Sequence, residues 1–98
     1  MTPKSESQIE KAVCDHARKR GAIVMKLSGM NQKGQPDRMF LHDGKVLFIE
    51  FKKQGKEPTA LQRKWLRDLA LQGFTTAWTA NIEDGKALVD TTLFPDYD

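Results

Sequence analysis

The run Val46-Leu47-Phe48-Ile49-Glu50-Phe51 constrains this chain more than any other stretch. Its apolar residues occupy both odd and even positions, so a strand here is central and covered on both faces. Just upstream, Arg38 to His42 reads as a second strand, and Asp43-Gly44 between the two is the residue pair that a type I′ hairpin turn demands. With a two-residue loop, His42 pairs with Lys45, and the ladder runs back until Asp37 stands opposite Glu50, side chains about 5 Å apart on one face. A slip of one residue would put Asp37 on the other face.

The remaining elements follow from periodicity and punctuation. Ser5 to Arg20 spaces Ile9, Ala12, Val13 and Ala17 as a helix does, ending at Gly21. Ala22 to Leu27 reads as a strand and Ser28 to Pro36 as a loop that orders on binding a partner. Lys45 to Lys52 completes the hairpin, and Gln54 to Pro58 is a second loop. Thr59 to Gln72 reads as a helix with Leu61, Trp65, Leu66 and Leu69 inward, stopped by Gly73. Phe74 to Thr79 is a strand, and Asn81 to Leu88 a short helix weakened by Gly85. Three capping-box patterns occur, Ser5 with Gln8, Ser7 with Glu10, and Thr59 with Gln62. The order α-β-β-β-α-β-(α) predicts one α/β domain over residues 1–98, a sandwich around a single mixed sheet.

Composition excludes several classes. The longest apolar runs, such as Val46 to Ile49, fall far short of the roughly 20 residues of a membrane span. Met1 to Ser5 lacks the apolar region of a secretory signal. Cys14 is the single cysteine, so no internal disulfide forms, no zinc spacing exists, and a reducing, cytoplasmic setting is expected. Residues 1–80 carry 15 basic and 8 acidic side chains, while 81–98 carry one basic and five acidic. A basic body suits a polyanion, although charge alone favours a solvated lysine-rich surface. His16 and His42 read as surface or satisfied histidines, Cys14 as a buried small residue, Trp65 as packing, and Trp78 as core or a dimer contact.

Glu50 is the odd residue in its apolar run. A buried carboxylate needs a cation or a proton. Lys52, two residues on, projects to the same face. By itself this pair reads as a structural ion pair on a strand edge. Asp37 opposite Glu50 adds a second carboxylate, and two adjacent carboxylates repel unless a positive charge separates them. Mg²⁺ serves this role well, taking one or two carboxylates plus waters and phosphate oxygens, and Mn²⁺ is expected to substitute. A metal on Asp37 and Glu50 with Lys52 alongside points to phosphodiester hydrolysis.

Pro36-Asp37, then Glu50-Phe51-Lys52, resembles the PD-(D/E)xK motif of that nuclease superfamily. Gly34-Gln35-Pro36-Asp37-Arg38, Phe48 to Lys52, Gln62 on a helix and Ser7-Gln8-Ile9-Glu10 together resemble the virus-type replication-repair nuclease domain, VRR-NUC, in its stand-alone phage and bacterial form. The likeness runs from about Ser5 to Ala80. It implies a restriction-endonuclease-like core, with Asp37, Glu50 and the Phe51 carbonyl as metal ligands and Lys52 as catalytic lysine. Glu10 would reach the metal directly or through water, with Glu6 as the competing choice, and Gln62 would orient Lys52 or the phosphate. Glu10 and Gln62 also read as capping partners of Ser7 and Thr59. The likeness further implies a homodimer acting on branched DNA, as Holliday-junction resolvases do, in a bacterial or phage-infected cell. Lys33, Arg38, Lys45, Lys53, Lys56, Arg63 and Lys64 frame the site as candidate phosphate contacts. A monomeric flap or end nuclease and a non-catalytic DNA-binding module are the competing readings.

Overall fold

The chain runs α1 (Glu6–Lys19), β1 (Ile23–Lys26), β2 (Arg38–His42), β3 (Lys45–Phe51), α2 (Ala60–Leu71), β4 (Thr75–Thr79) and α3 (Ile82–Leu93) in a computed structural model that describes residues 2–27 and 33–95. The sheet order is β1-β2-β3-β4, antiparallel except for the parallel β3–β4 pair. The hairpin takes the expected register, His42 opposite Lys45 through Arg38 opposite Ile49. Asp43 (φ 50°) and Gly44 (φ 76°) both adopt the positive φ of a type I′ turn. The expectation for the 28–36 loop falls in part on residues 28–32, outside the described residues.

Alternation along β3 sorts the molecule into layers. Leu47, Ile49 and Phe51 face one side with Phe40 and meet Ile9, Val13 and Ala17 of α1 and Val89 and Leu93 of α3. Each such side chain contributes about 1.5–3 kcal/mol on burial. Phe48 and Glu50 face the other side, toward α2, where Leu66 is buried and its carbonyl accepts from the Thr76 hydroxyl at 2.9 Å. β3 is thus covered on both faces, as its composition requires.

Both leading capping boxes form, Ser5 with Gln8 and Thr59 with Gln62. The Ser7–Glu10 box does not: Ser5 is the N-cap, which places Ser7 inside the helix. Two further expectations are corrected. Leu61 is not inward but 46% exposed, and Leu66 is the buried leucine of α2. α3 does not stop at Leu88 but reaches Leu93. Gly85, Val89 and Leu93 recur every four residues along its buried stripe. At Gly85 a Cβ would stand 2.5 Å from Val13 Cγ2, so glycine there permits close approach of α1 and α3.

Both histidines make contacts within the fold. His16 Nε2 lies 2.7 Å from Asp90 Oδ1, which also accepts from Arg20, tying α1 to α3. His42 stacks on Phe94 at 4.2 Å between centroids. Cys14 is buried. No helix among the described residues is long and apolar enough to cross a membrane.

Candidate active site

β3 delivers Glu50 and Lys52 to one face, as two-residue spacing requires. Lys52 Nζ stands 3.8 Å from Glu50 Oε2, and Glu50 is only 3% exposed. Asp37 lies at the entry to β2, and its Oδ2 accepts the Phe51 N–H at 2.7 Å. That bond pins Asp37 beside the end of β3. A strand residue's N–H and C=O leave on the same edge, so the Phe51 carbonyl emerges on the Asp37 side.

Burial, followed by the negative charge of Asp37, pushes the Glu50 carboxyl up to about 8, against the opposing pull of Lys52. Burial likewise raises Asp37, the Phe51 N–H counteracting it and Glu10 and Glu6 adding repulsion. The charge of Asp37 therefore makes Glu50 harder to ionise. Glu50 Oε1 is buried without a hydrogen-bond partner among the described residues. A buried carboxyl oxygen without a partner needs a proton or a cation to satisfy it.

Gln62 is placed by its own helix cap. Its Oε1 accepts the Thr59 N–H at 2.9 Å while its Nε2 donates to Glu50 Oε2 at 3.0 Å. One amide thus caps α2 with one end and holds Glu50 with the other. Its partner is Glu50 rather than Lys52.

Glu10 is engaged elsewhere. The Arg38 Nε donates to its Oε2, both side chains being about one-fifth exposed. Arg38 shares a face with Phe40, the α1 side, and so meets Glu10. No three His, Cys, Asp or Glu side chains among the described residues converge closely enough to hold a metal. The set that converges is Asp37 and Glu50 with the Phe51 carbonyl beside them. This fits a hard cation that completes its shell with water or phosphate oxygens. Glu6 is exposed and acts on the pair only through its charge.

The candidate phosphate contacts divide. Arg38 is held by Glu10, Arg63 by Glu57 at 2.7 Å, and Lys64 by Asp68 at 2.5 Å. Lys45 leans on Asp43 at 3.3 Å. Lys33, Lys53 and Lys56 are exposed. They make no ion pair with the described residues. Trp78, half-buried opposite Glu50, carries the Arg63 guanidinium 5.9 Å from its ring centre. The Arg38–Glu10 pair is the feature that the sequence reading missed. Its only signal was that Arg38 shares strand parity with core-facing Phe40.

Two solved structures share this architecture. One, titled "VRR_NUC domain", superposes with a TM-score of 0.77 at 22% identity, over 87% of this chain and 94% of that one. The other, a "VRR_NUC domain protein", gives 0.77 at 17% identity over 93% and 89%. The chain has the VRR_NUC fold. No family model matches it. "Putative nuclease p44" of Acyrthosiphon pisum secondary endosymbiont phage 1 is 40% identical over 58 residues, 58% of this chain. The match covers 62% of that relative's length. Within the VRR_NUC fold of this chain, Asp37, Glu50 and Lys52 gather at the end of β3, between α2 and the entry to β2.

Proposed function

We propose that this chain is a metal-dependent DNA endonuclease that hydrolyses phosphodiester bonds in branched DNA, working as a homodimer. One observation carries the reading: Glu50, buried beside Asp37 with an unpartnered Oε1, shares its face with Lys52. The name of the phage relative and the VRR_NUC fold support the nuclease class. The likeness of the motif to junction resolvases supports the branched substrate and the dimer.

Asp37, Glu50 and the Phe51 carbonyl would hold Mg²⁺. When bound, such a cation polarises a phosphoryl oxygen and makes a coordinated water more acidic. Glu50 must be ionised to act as a ligand, so it releases its proton as the cation binds. Lys52 places its Nζ at the same pair and neutralises charge building on the phosphate oxygens. Gln62 fixes the Glu50 carboxylate through Oε2 and leaves Oε1 free. Lys33, Lys53 and Lys56 supply phosphate contacts that give affinity without sequence choice.

The test is cleavage of a labelled four-way junction beside a matched linear duplex, with Mg²⁺, with Mn²⁺ and with EDTA. Metal-dependent paired nicks in the junction, absent from the duplex and from Lys52→Ala protein, are expected. Junction binding without any cleavage would overturn the catalytic roles of Asp37, Glu50 and Lys52. Cutting confined to flaps or ends by a species that light scattering shows to be monomeric would overturn the resolvase reading.

A further inference from the structure

Residues Lys33 to Pro36 lead directly into Asp37, and α2 grips their start. The Trp65 indole N–H donates to the Lys33 carbonyl at 2.8 Å. Gly34 lies against the same helix. A Cβ there would stand 2.7 Å from Leu61 Cγ and 3.1 Å from Trp65 Cδ1, and its φ of +83° is one that other residues rarely adopt. Pro36 is fully buried. Asp37 is therefore reached over a short span anchored at both ends.

Trp65 sits three residues beyond Gln62, so the two project from one face of α2. Gln62 holds Glu50, and Trp65 holds the approach to Asp37. We infer that Trp65 is a positioning residue for the acidic pair, so that α2 sets the separation of the two carboxylates through Gln62 and Trp65 together. The consequence for metal binding rests on the nuclease reading above, while the structural coupling does not. An aromatic of α2 that merely packed against the loop would need no hydrogen bond to a loop carbonyl, and its N–H would be dispensable.

The Phe51 N–H, donated to Asp37 Oδ2, reports where Asp37 stands. The neighbouring Lys52 N–H, donated to the Thr79 carbonyl at 2.9 Å, reports only the β3–β4 ladder. Amide hydrogen exchange of the full chain without metal is compared between wild type and Trp65→Phe, which keeps a ring against Gly34 and loses the N–H. Phe51 exchange is expected to accelerate about tenfold relative to Lys52, the equivalent of one net hydrogen bond. An unchanged Phe51-to-Lys52 ratio would overturn the inference, because uniform loosening moves both amides together. Should Trp65→Phe not fold, Gly34→Ala perturbs the same anchor from the loop side and the same ratio is read. Calorimetry with Mg²⁺ is expected to show affinity about tenfold weaker in Trp65→Phe, as when an outer partner of a ligand is removed. Equal affinity in a variant whose Phe51 ratio has moved would overturn the link to the metal. A wild type that binds no Mg²⁺ while Phe51 still responds selectively would sink the metal reading and leave the positioning role standing.

Discussion

Glu50 shows how one residue sets stability against chemistry. Its carboxyl is pushed from an ordinary 4.5 up to about 8, so the folded state holds a proton that the unfolded chain has already released. Stability must then fall as pH rises from about 4.5 to about 8, because the folded state is the one binding more protons across that window. Asp37, also raised, acts in the same direction. Asp15, Asp68 and Asp90 are shifted downward instead, by their lysine, histidine and arginine partners, and their contributions change only in more acid solution. We therefore expect the melting temperature of the metal-free protein to drop between pH 5 and pH 8, and Glu50→Gln to remove most of that slope. At pH 8, Mg²⁺ should raise the melting temperature of wild type and leave Glu50→Gln unmoved. A flat wild-type profile would show that burial and Asp37 do not hold the proton on Glu50. This residue was legible in the sequence because a charge inside an apolar strand has few physical solutions. Arg38 was not, since its capture by Glu10 depends on which face of β2 meets α1, a fact of packing rather than of local pattern.

At the scale of elements, the hairpin's register from His42–Lys45 to Arg38–Ile49 was legible because its determinants are local: two positive-φ positions and alternating burial on either side. α3 was not. Read locally, Gly85 weakens a helix by about 1 kcal/mol against alanine. In the fold it is the contact point where α3 meets Val13 of α1, and the helix continues to Leu93 because Val89 and Leu93 are buried against the core. The two effects oppose one another in Gly85→Ala. Better propensity favours the variant, while a Cβ 2.5 Å from Val13 Cγ2 forces overpacking that costs about 1–3 kcal/mol. Urea denaturation should show net destabilisation. Adding Val13→Ala makes room for the new methyl, so Gly85→Ala introduced into a Val13→Ala background should be neutral or stabilising. If Gly85→Ala destabilised both backgrounds equally, the close approach of α1 and α3 would not be the reason for glycine at this position. Leu61 was misread for a related reason: helical spacing identifies a face but not which neighbour covers it, and here that neighbour is the loop around Gly34.

Across the whole molecule, net charge alone misstates what a polyanion would meet. Of the acidic residues in 81–98, Glu83, Asp84 and Asp90 lie on α3, and Asp90 is consumed by His16 and Arg20. Among the basic residues framing the site, Arg38, Arg63 and Lys64 already hold carboxylates, whereas Lys53 and Lys56 sit exposed just beyond the end of β3. Releasing a lysine from an existing ion pair offsets part of what a phosphate contact returns, so the exposed pair should dominate the electrostatic footprint. Each phosphate neutralised contributes about −0.9 to the slope of log affinity against log salt on duplex arms. Fluorescence anisotropy with junction DNA in EDTA, across a salt series, should therefore give a slope about two units shallower for Lys53→Ala combined with Lys56→Ala. The loss of affinity should be uniform across DNA sequences. Lys64→Ala should barely alter the slope, because its ammonium is held by Asp68. The opposite ranking, with Lys64 dominating, would place the DNA across the outer surface of α2 rather than over the end of β3, and would separate the binding surface from Asp37, Glu50 and Lys52.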